Sequence, residues 1–170
     1  MRRLGIVAVG LLVIVSTGCS GADGRVKEYA RQMQGYFSGF TITPERDDVE
    51  NIAAIEPPRE LALRHEGLKV AAAMVMLAEE HEAVLEASEQ QRLDQEQGAG
   101  GDVISCVNME YDTGMTHWAS VALRQACSLH DAALDAYAQA ELEWSMALSK
   151  ACGGPDWAVM PSSAIDECLK

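Results

Sequence analysis

Apolar residues recur along most of this chain at three- and four-residue steps, the period of an α-helix with one buried face. Val26, Ala30, Met33, Phe37 and Phe40 form one such stripe and predict a helix over about 24–38, weakened at its end by Gly35 and Gly39. Thr43-Pro44 reads as an N-cap followed by proline in the first helical position, opening a short helix to about Ile55 that Pro57-Pro58 ends. From Arg59 to Gln95 the only glycine is Gly67 and there is no proline. Leu61, Leu68, Ala71, Ala72, Val75, Ala78 and Leu85 trace a near-heptad face there, so the segment predicts one long helix. Gly98 to Gly101 is a loop. Segment 102–113 stays open: Val103, Cys106 and Val107 suit a helical turn, whereas Val107, Met109 and Tyr111 alternate as in a strand.

Met115 to Ala151 again lacks glycine and proline, and Trp118, Ala122, Leu129, Ala133, Ala136, Ala140, Trp144 and Ala147 give a second long stripe. Gly153-Gly154-Pro155 is a stop signal. The tail carries Trp157, Val159, Met160, Ile165 and Leu169, apolar enough to fold back, with Ser162 or Ser163 as cap of a final short helix. Two long helices of matched length, about 59–95 and 115–151, with a modest connection form an antiparallel hairpin. The expected fold is all-α: an antiparallel bundle of three to four helices, stapled by disulfides. The alternative is a single extended coiled coil that dimerises.

The first nineteen residues follow a different pattern. Arg2 and Arg3 precede a twelve-residue apolar run, Leu4 to Val15, too short to span a bilayer comfortably and typical of a signal-peptide core. Ser16-Thr17-Gly18 then leads into Cys19. This resembles the lipobox of bacterial lipoproteins, with Ser16 standing where that pattern usually has Leu. The resemblance implies that residues 1–18 are removed and that Cys19 carries the lipid as first residue of the mature chain. Residues 19–24 then read as a lipid anchor and short tether, and 25–170 as one helical domain. An ordinary signal peptide cut near Gly18 and an uncleaved anchor helix are the alternatives.

Without Arg2 and Arg3, eleven basic residues face twenty-six acidic ones, a formal charge of about −15. Such a surface repels nucleic acid and anionic lipid head groups. Membrane attachment therefore falls to the lipid, and no nucleic-acid partner is expected. With Cys19 assigned to the lipid, four cysteines remain, an even count that in an exported chain implies two disulfides. Helix length selects the pairing. Cys127 and Cys152 lie 25 residues apart on one predicted helix, about 37 Å, which no disulfide spans. Cys106, eight residues before Gly114, reaches at most about 27 Å from the helix start, whereas Cys152 lies about 57 Å along it. The remaining pairing is Cys106–Cys127 with Cys152–Cys168.

Candidate chemistry is sparse. His65 and His81 are sixteen residues apart, about 160° around a helix, and His117 and His130 thirteen apart, about 140°, so neither pair shares a face. Cys127-Ser-Leu-His130 has half a zinc-site spacing but no second half, and Cys127 is better used in a disulfide. Glu79, Glu82, Glu86 and Glu89 step along one face and read as a solvated acidic stripe, or as a docking face for a basic envelope protein. No nucleophile-elbow, Walker, dinucleotide, zinc-protease or EF-hand motif occurs. Ile55 to His65, with its PP-x-x-L…H run, resembles a pattern in uncharacterised exported bacterial helical proteins, where it starts a long helix; no functional residue comes with it. No metal or cofactor is expected. The expected role is a membrane-anchored, non-catalytic binding or interaction module outside the cytoplasmic membrane. The alternative is a ligand or metal carrier using a bundle cavity with His81 and nearby glutamates. The oligomeric state stays open.

Overall fold

A computed structural model describes residues 22–37, 43–98, 103–111, 119–154 and 161–170. Cys19, the apolar run before it, His117, Trp118, Trp157, Val159 and Met160 lie outside the described residues. Six helices are described: α1 (Gly24–Phe37), α2 (Arg46–Ala54), α3 (Ala62–Gln97), α4 (Cys106–Tyr111), α5 (Val121–Ala151) and α6 (Pro161–Leu169), with no strand among these residues. The chain is therefore all-helical. No described helix is long and apolar enough to cross a membrane.

Local chemistry moves several helix ends from their expected places. The N–H of Leu61 donates to the Pro58 carbonyl at 2.9 Å, closing a turn, so α3 begins at Ala62 rather than at Arg59. Glu45, not Thr43, stands at the N-cap of α2, where its N–H donates to the Asp48 carboxylate at 3.2 Å. Ser120 caps α5, its hydroxyl accepting from the Leu123 N–H at 3.1 Å, so that helix starts at Val121 rather than Met115. It is 31 residues long, about 46 Å. Helix α6 begins at Pro161, upstream of Ser162 and Ser163, so neither serine is its cap. Segment 102–113 resolves as helical over Cys106–Tyr111.

The end of α5 is a Schellman turn. Gly153, at φ 80°, donates to the Lys150 carbonyl at 3.0 Å, and Gly154 donates to that of Ser149 at 2.8 Å. A Cβ on Gly154 would lie 2.6 Å from Glu167 Oε2, so this glycine lets α6 close against the end of α5.

Helices α3 and α5 run antiparallel: Arg64 pairs with Glu143, Glu82 with His130, and Glu89 with Ser120. Two cores line this hairpin. The larger gathers Val26, Ala30 and Met33 of α1, Ile52 of α2, Leu68 and Val75 of α3, Trp144 and Leu148 of α5, and Ile165 of α6. The smaller, toward the other end, holds Ile104, Met109, Ala119 and Leu123. The inward face of α5 is rotated from the expected stripe. Leu123, Ala126, Tyr137, Ser145 and Leu148 are buried beside Ala133 and Trp144, whereas Ala122, Leu129 and Ala136 are exposed. The alanines imitate a core stripe, but the larger side chains one position on fill it.

Two cysteine pairs stand at disulfide distance. Cys106 joins Cys127 with Cα atoms 5.5 Å apart, and Cys152 joins Cys168 at 4.7 Å. The first fastens α4 to α5, and the second fastens α6 to the cap of α5. Replacing Cys152 and Cys168 together with serine opens a loop of sequence separation 16. The expected cost is about 3 kcal/mol, read as a lowered urea midpoint under non-reducing conditions. An unchanged midpoint refutes a stabilising role for this staple.

Candidate functional site

Three polar aromatic residues meet in the larger core. Tyr29 of α1, His65 of α3 and Trp144 of α5 are 2%, 3% and 0% exposed. The Tyr29 hydroxyl lies 2.8 Å from His65 Nδ1, and Trp144 Nε1 donates to the same hydroxyl at 2.7 Å. Both rings stand edge-on to Tyr29, with centroids 5.7 and 6.4 Å away. Indole N–H is a donor only. The tyrosine oxygen therefore accepts from Trp144 and spends its single proton on His65. Nδ1 of His65 must be the unprotonated nitrogen, which places the imidazole proton on Nε2. The backbone of Ile52, in α2, supplies the remaining hydrogen-bond partner. One directional chain of hydrogen bonds thus links four helices.

Burial sets the charge state of this group. Desolvation pushes the Tyr29 phenol well above its ordinary range. It also lowers the His65 value, with Lys69 adding to the effect and Glu66 opposing it. The imidazole is neutral and already hydrogen-bonded, so it is a structural element of the core.

A half-open cleft of about 520 Å³ lies over this group, between Arg25, Glu28 and Gln32 of α1 and the Glu56–Arg59 turn. Tyr29 forms part of its wall, but its hydroxyl is fully engaged inside.

The acidic residues of α3 form a second polar cluster. The expected solvated stripe is not one face in the folded chain: Glu79 is exposed, Glu82 and Glu86 are half-buried, and Glu89 is buried. The reason is a set of backbone N–H groups that need acceptors. Glu86 accepts from the Cys106 N–H at 2.7 Å, Gln90 from that of Ile104 at 3.0 Å, and Glu89 from that of Ser120 at 2.5 Å. These bonds serve the start of α4 and the cap of α5. Glu89 also binds Arg92 at 2.8 Å, and Arg92 followed by Ser120 holds its carboxyl below the usual range. Of the four glutamates, Glu79 alone is exposed.

Glu82 faces His130 of α5 as an ion-pair contact without aligned hydrogen-bond geometry, and burial raises the Glu82 carboxyl against the pull of His130. Nε2 of His130 and Oγ of Ser145 are buried without a hydrogen-bond partner among the described residues. Glu82, Glu86 and Cys106 come close enough to share a cation, but Cys106 is consumed in its disulfide and offers no thiolate. His81 is exposed and is not among the residues whose ligand atoms cluster here. Cys127 is likewise occupied by a disulfide, which leaves the Cys127–His130 spacing without a metal-binding role.

The sequence reading missed the Tyr29–His65–Trp144 group. Its signal was present: Tyr29 adjoins the Val26–Ala30–Met33 stripe, and His65 falls on the face of Leu61, Leu68 and Ala72. Trp144 tops the last stripe. A polar group on each of three apolar faces needs a partner once buried, and the nearest partners are one another.

Tyr29→Phe removes the acceptor of the Trp144 N–H and the donor to His65 Nδ1. The expected loss is roughly 2–4 kcal/mol of unfolding free energy, measured by denaturant titration. A change near zero refutes the hydrogen-bond chain. The lowered His65 value also has a pH signature. The unfolded imidazole binds a proton near pH 6.5, whereas the folded one resists it. Stability from this site is therefore complete above that pH and is lost as pH falls toward the folded value. Titrating stability between pH 7 and 5 is expected to show a decline that His65→Gln reduces; equal slopes in both proteins refute the assignment.

No protein-family model matches this chain, and neither a curated protein nor a solved structure matches it, so its function is argued from its own residues.

Proposed function

We propose that this protein is a lipid-anchored, extracytoplasmic interaction module: an antiparallel bundle of three to four helices held to a bacterial membrane through Cys19 and acting by binding rather than catalysis. The lipobox-like Ser16-Thr17-Gly18-Cys19 run supports the anchor, and two disulfides suit an oxidising compartment. The observation that carries the binding role is an exposed apolar stripe on α3. Leu63 is 79% exposed, Val84 66% and Leu77 60%, with Val70 and Met74 half-exposed between them. Monomeric soluble proteins rarely present a contiguous apolar patch beyond a few hundred Å², and larger ones mark interaction sites. Buried Tyr29, His65 and Glu89, by contrast, are occupied with one another, with Trp144 and Arg92, or with the Ser120 backbone.

Two measurements test this reading. The intact mass of membrane-extracted protein is expected to show loss of residues 1–18 and addition of acyl chains. Cys19→Ala is expected to retain the unprocessed mass and to carry no lipid. An unacylated wild-type chain overturns the anchor. A photo-crosslinker placed at Val70 in intact cells is expected to give protein adducts; their absence overturns the interaction role.

A further inference from the structure

The exposed stripe on α3 has a strict period. Leu63, Val70, Leu77 and Val84 recur every seven residues, and Gly67, Met74, His81 and Ser88 follow each of them by four. This is the alternating three–four spacing of a coiled-coil seam. It lies on the side of α3 away from Leu68, Ala72 and Val75, which fill the core. The chain therefore carries a second heptad seam that the described helices leave exposed. Helix α5 widens the surface, because Ala136 and Ala140 line a groove with Gly67, Val70, Ala71 and Met74, and exposed Leu129 lies beyond them.

We propose that the occupant of this seam is a second copy of the chain, docked antiparallel across a two-fold axis between Ala73 and Met74. This deepens the interaction reading and rests on it. The register follows from the sequence. Antiparallel pairing about that axis sets Leu63 against the second copy's Val84 and Val70 against the second copy's Leu77, so every leucine of the seam meets a valine. The pairing repeats in the other half by symmetry, as an isologous interface requires. It sets Glu66, which its own Lys69 also contacts, opposite the second copy's His81, a carboxylate facing an imidazole N–H donor. Glu80 falls opposite the second copy's Gly67, where no heavy atom lies within 4 Å of a Cβ position. A parallel pairing would instead set Gly67 on Gly67 and His81 on His81 across the seam. Packing thus favours the antiparallel register.

The area suffices for a specific contact. From Leu63 to Val84 the seam runs about 32 Å along α3. With α5 alongside, the face is two helices wide, about 18 Å, or about 600 Å² per copy and about 1,200 Å² in total. That total reaches the lower bound of specific, stable interfaces. Small side chains at Gly67, Ala71, Ala136 and Ala140 leave a depression between the helices that receives the second copy's Leu77.

The test places a photo-crosslinker at position 66 of the full chain in its native envelope. Residues 66 and 81 of one chain are about 22 Å apart along α3, beyond crosslinker reach, so a 66–81 link forms only between two copies. The expected result is a covalent dimer whose linked peptide contains His81. Leu77→Glu is expected to reduce that dimer by about tenfold or more, with the melting temperature unchanged. Val84→Lys, at a position 66% exposed, is expected to do the same and guards against a folding defect at Leu77. Links to position 66 of the second copy overturn the antiparallel register. Links to phospholipid, or to a different protein, overturn the second copy as occupant, and the latter leaves the interaction role standing. No adduct from 66 or from 70 overturns both.

Discussion

The buried chain from Trp144 through Tyr29 to His65 and the Ile52 backbone is the constraint on which the larger core depends. Its direction follows from chemistry: an indole can only donate, so each later group has one available role. Breaking it at any member exposes partners that are sealed from water, and each unpartnered buried polar group costs about 1–3 kcal/mol. An apolar core accepts several packings of similar energy, whereas this chain is complete only when α1, α2, α3 and α5 meet at one register. The surrounding apolar residues supply most of the burial, and the polar chain selects the arrangement.

The other end of the hairpin solves a different problem. The segment between α3 and α5 contributes a short helix and a helix cap, whose leading N–H groups need acceptors. Glu86, Glu89 and Gln90 reach across from α3 to provide them. The two negative charges, one turn apart, repel mildly on an isolated helix. Here they sit against helix N-termini, where negative charge is favourable. Arg92 then offsets part of what remains. The Cys106–Cys127 bond lies within this same cluster, so covalent and polar fastening coincide.

The all-helical fold, the two long proline-free helices and the cysteine partners were legible because each rests on a strong local signal: uninterrupted helical stretches, and limits on how far the cysteines reach. The exclusion of Cys127–Cys152 survives the shorter α5, whereas that of Cys106–Cys152 does not: from Cys106 to Val121 the chain reaches about 50 Å, and Cys152 caps the helix only about 46 Å along it. The inward face of α5 was not legible. Alanine at 122, 136 and 140 is neutral between core and surface, and only the neighbours of Leu123, Tyr137 and Leu148 show which side is sealed. The acidic stripe misled for a related reason. A row of glutamates reads as solvated unless the backbone donors that occupy it are known, and those donors come from distant sequence.

The proposed anchor and the proposed seam constrain each other. From Cys19 to the start of α1 is five residues, a reach of at most about 18 Å. An antiparallel pair carries its two tethers toward opposite ends of an α3 seam about 32 Å long. For both lipids to enter one bilayer, α3 must then lie along the membrane plane, because an upright pair would lift one tether beyond its reach. Two lipidated chains hold such a pair far more firmly than one, since the second insertion is intramolecular. That added hold matters for a body of this charge, which an anionic membrane surface otherwise repels. Membrane residence and self-pairing would in this way reinforce each other through geometry alone.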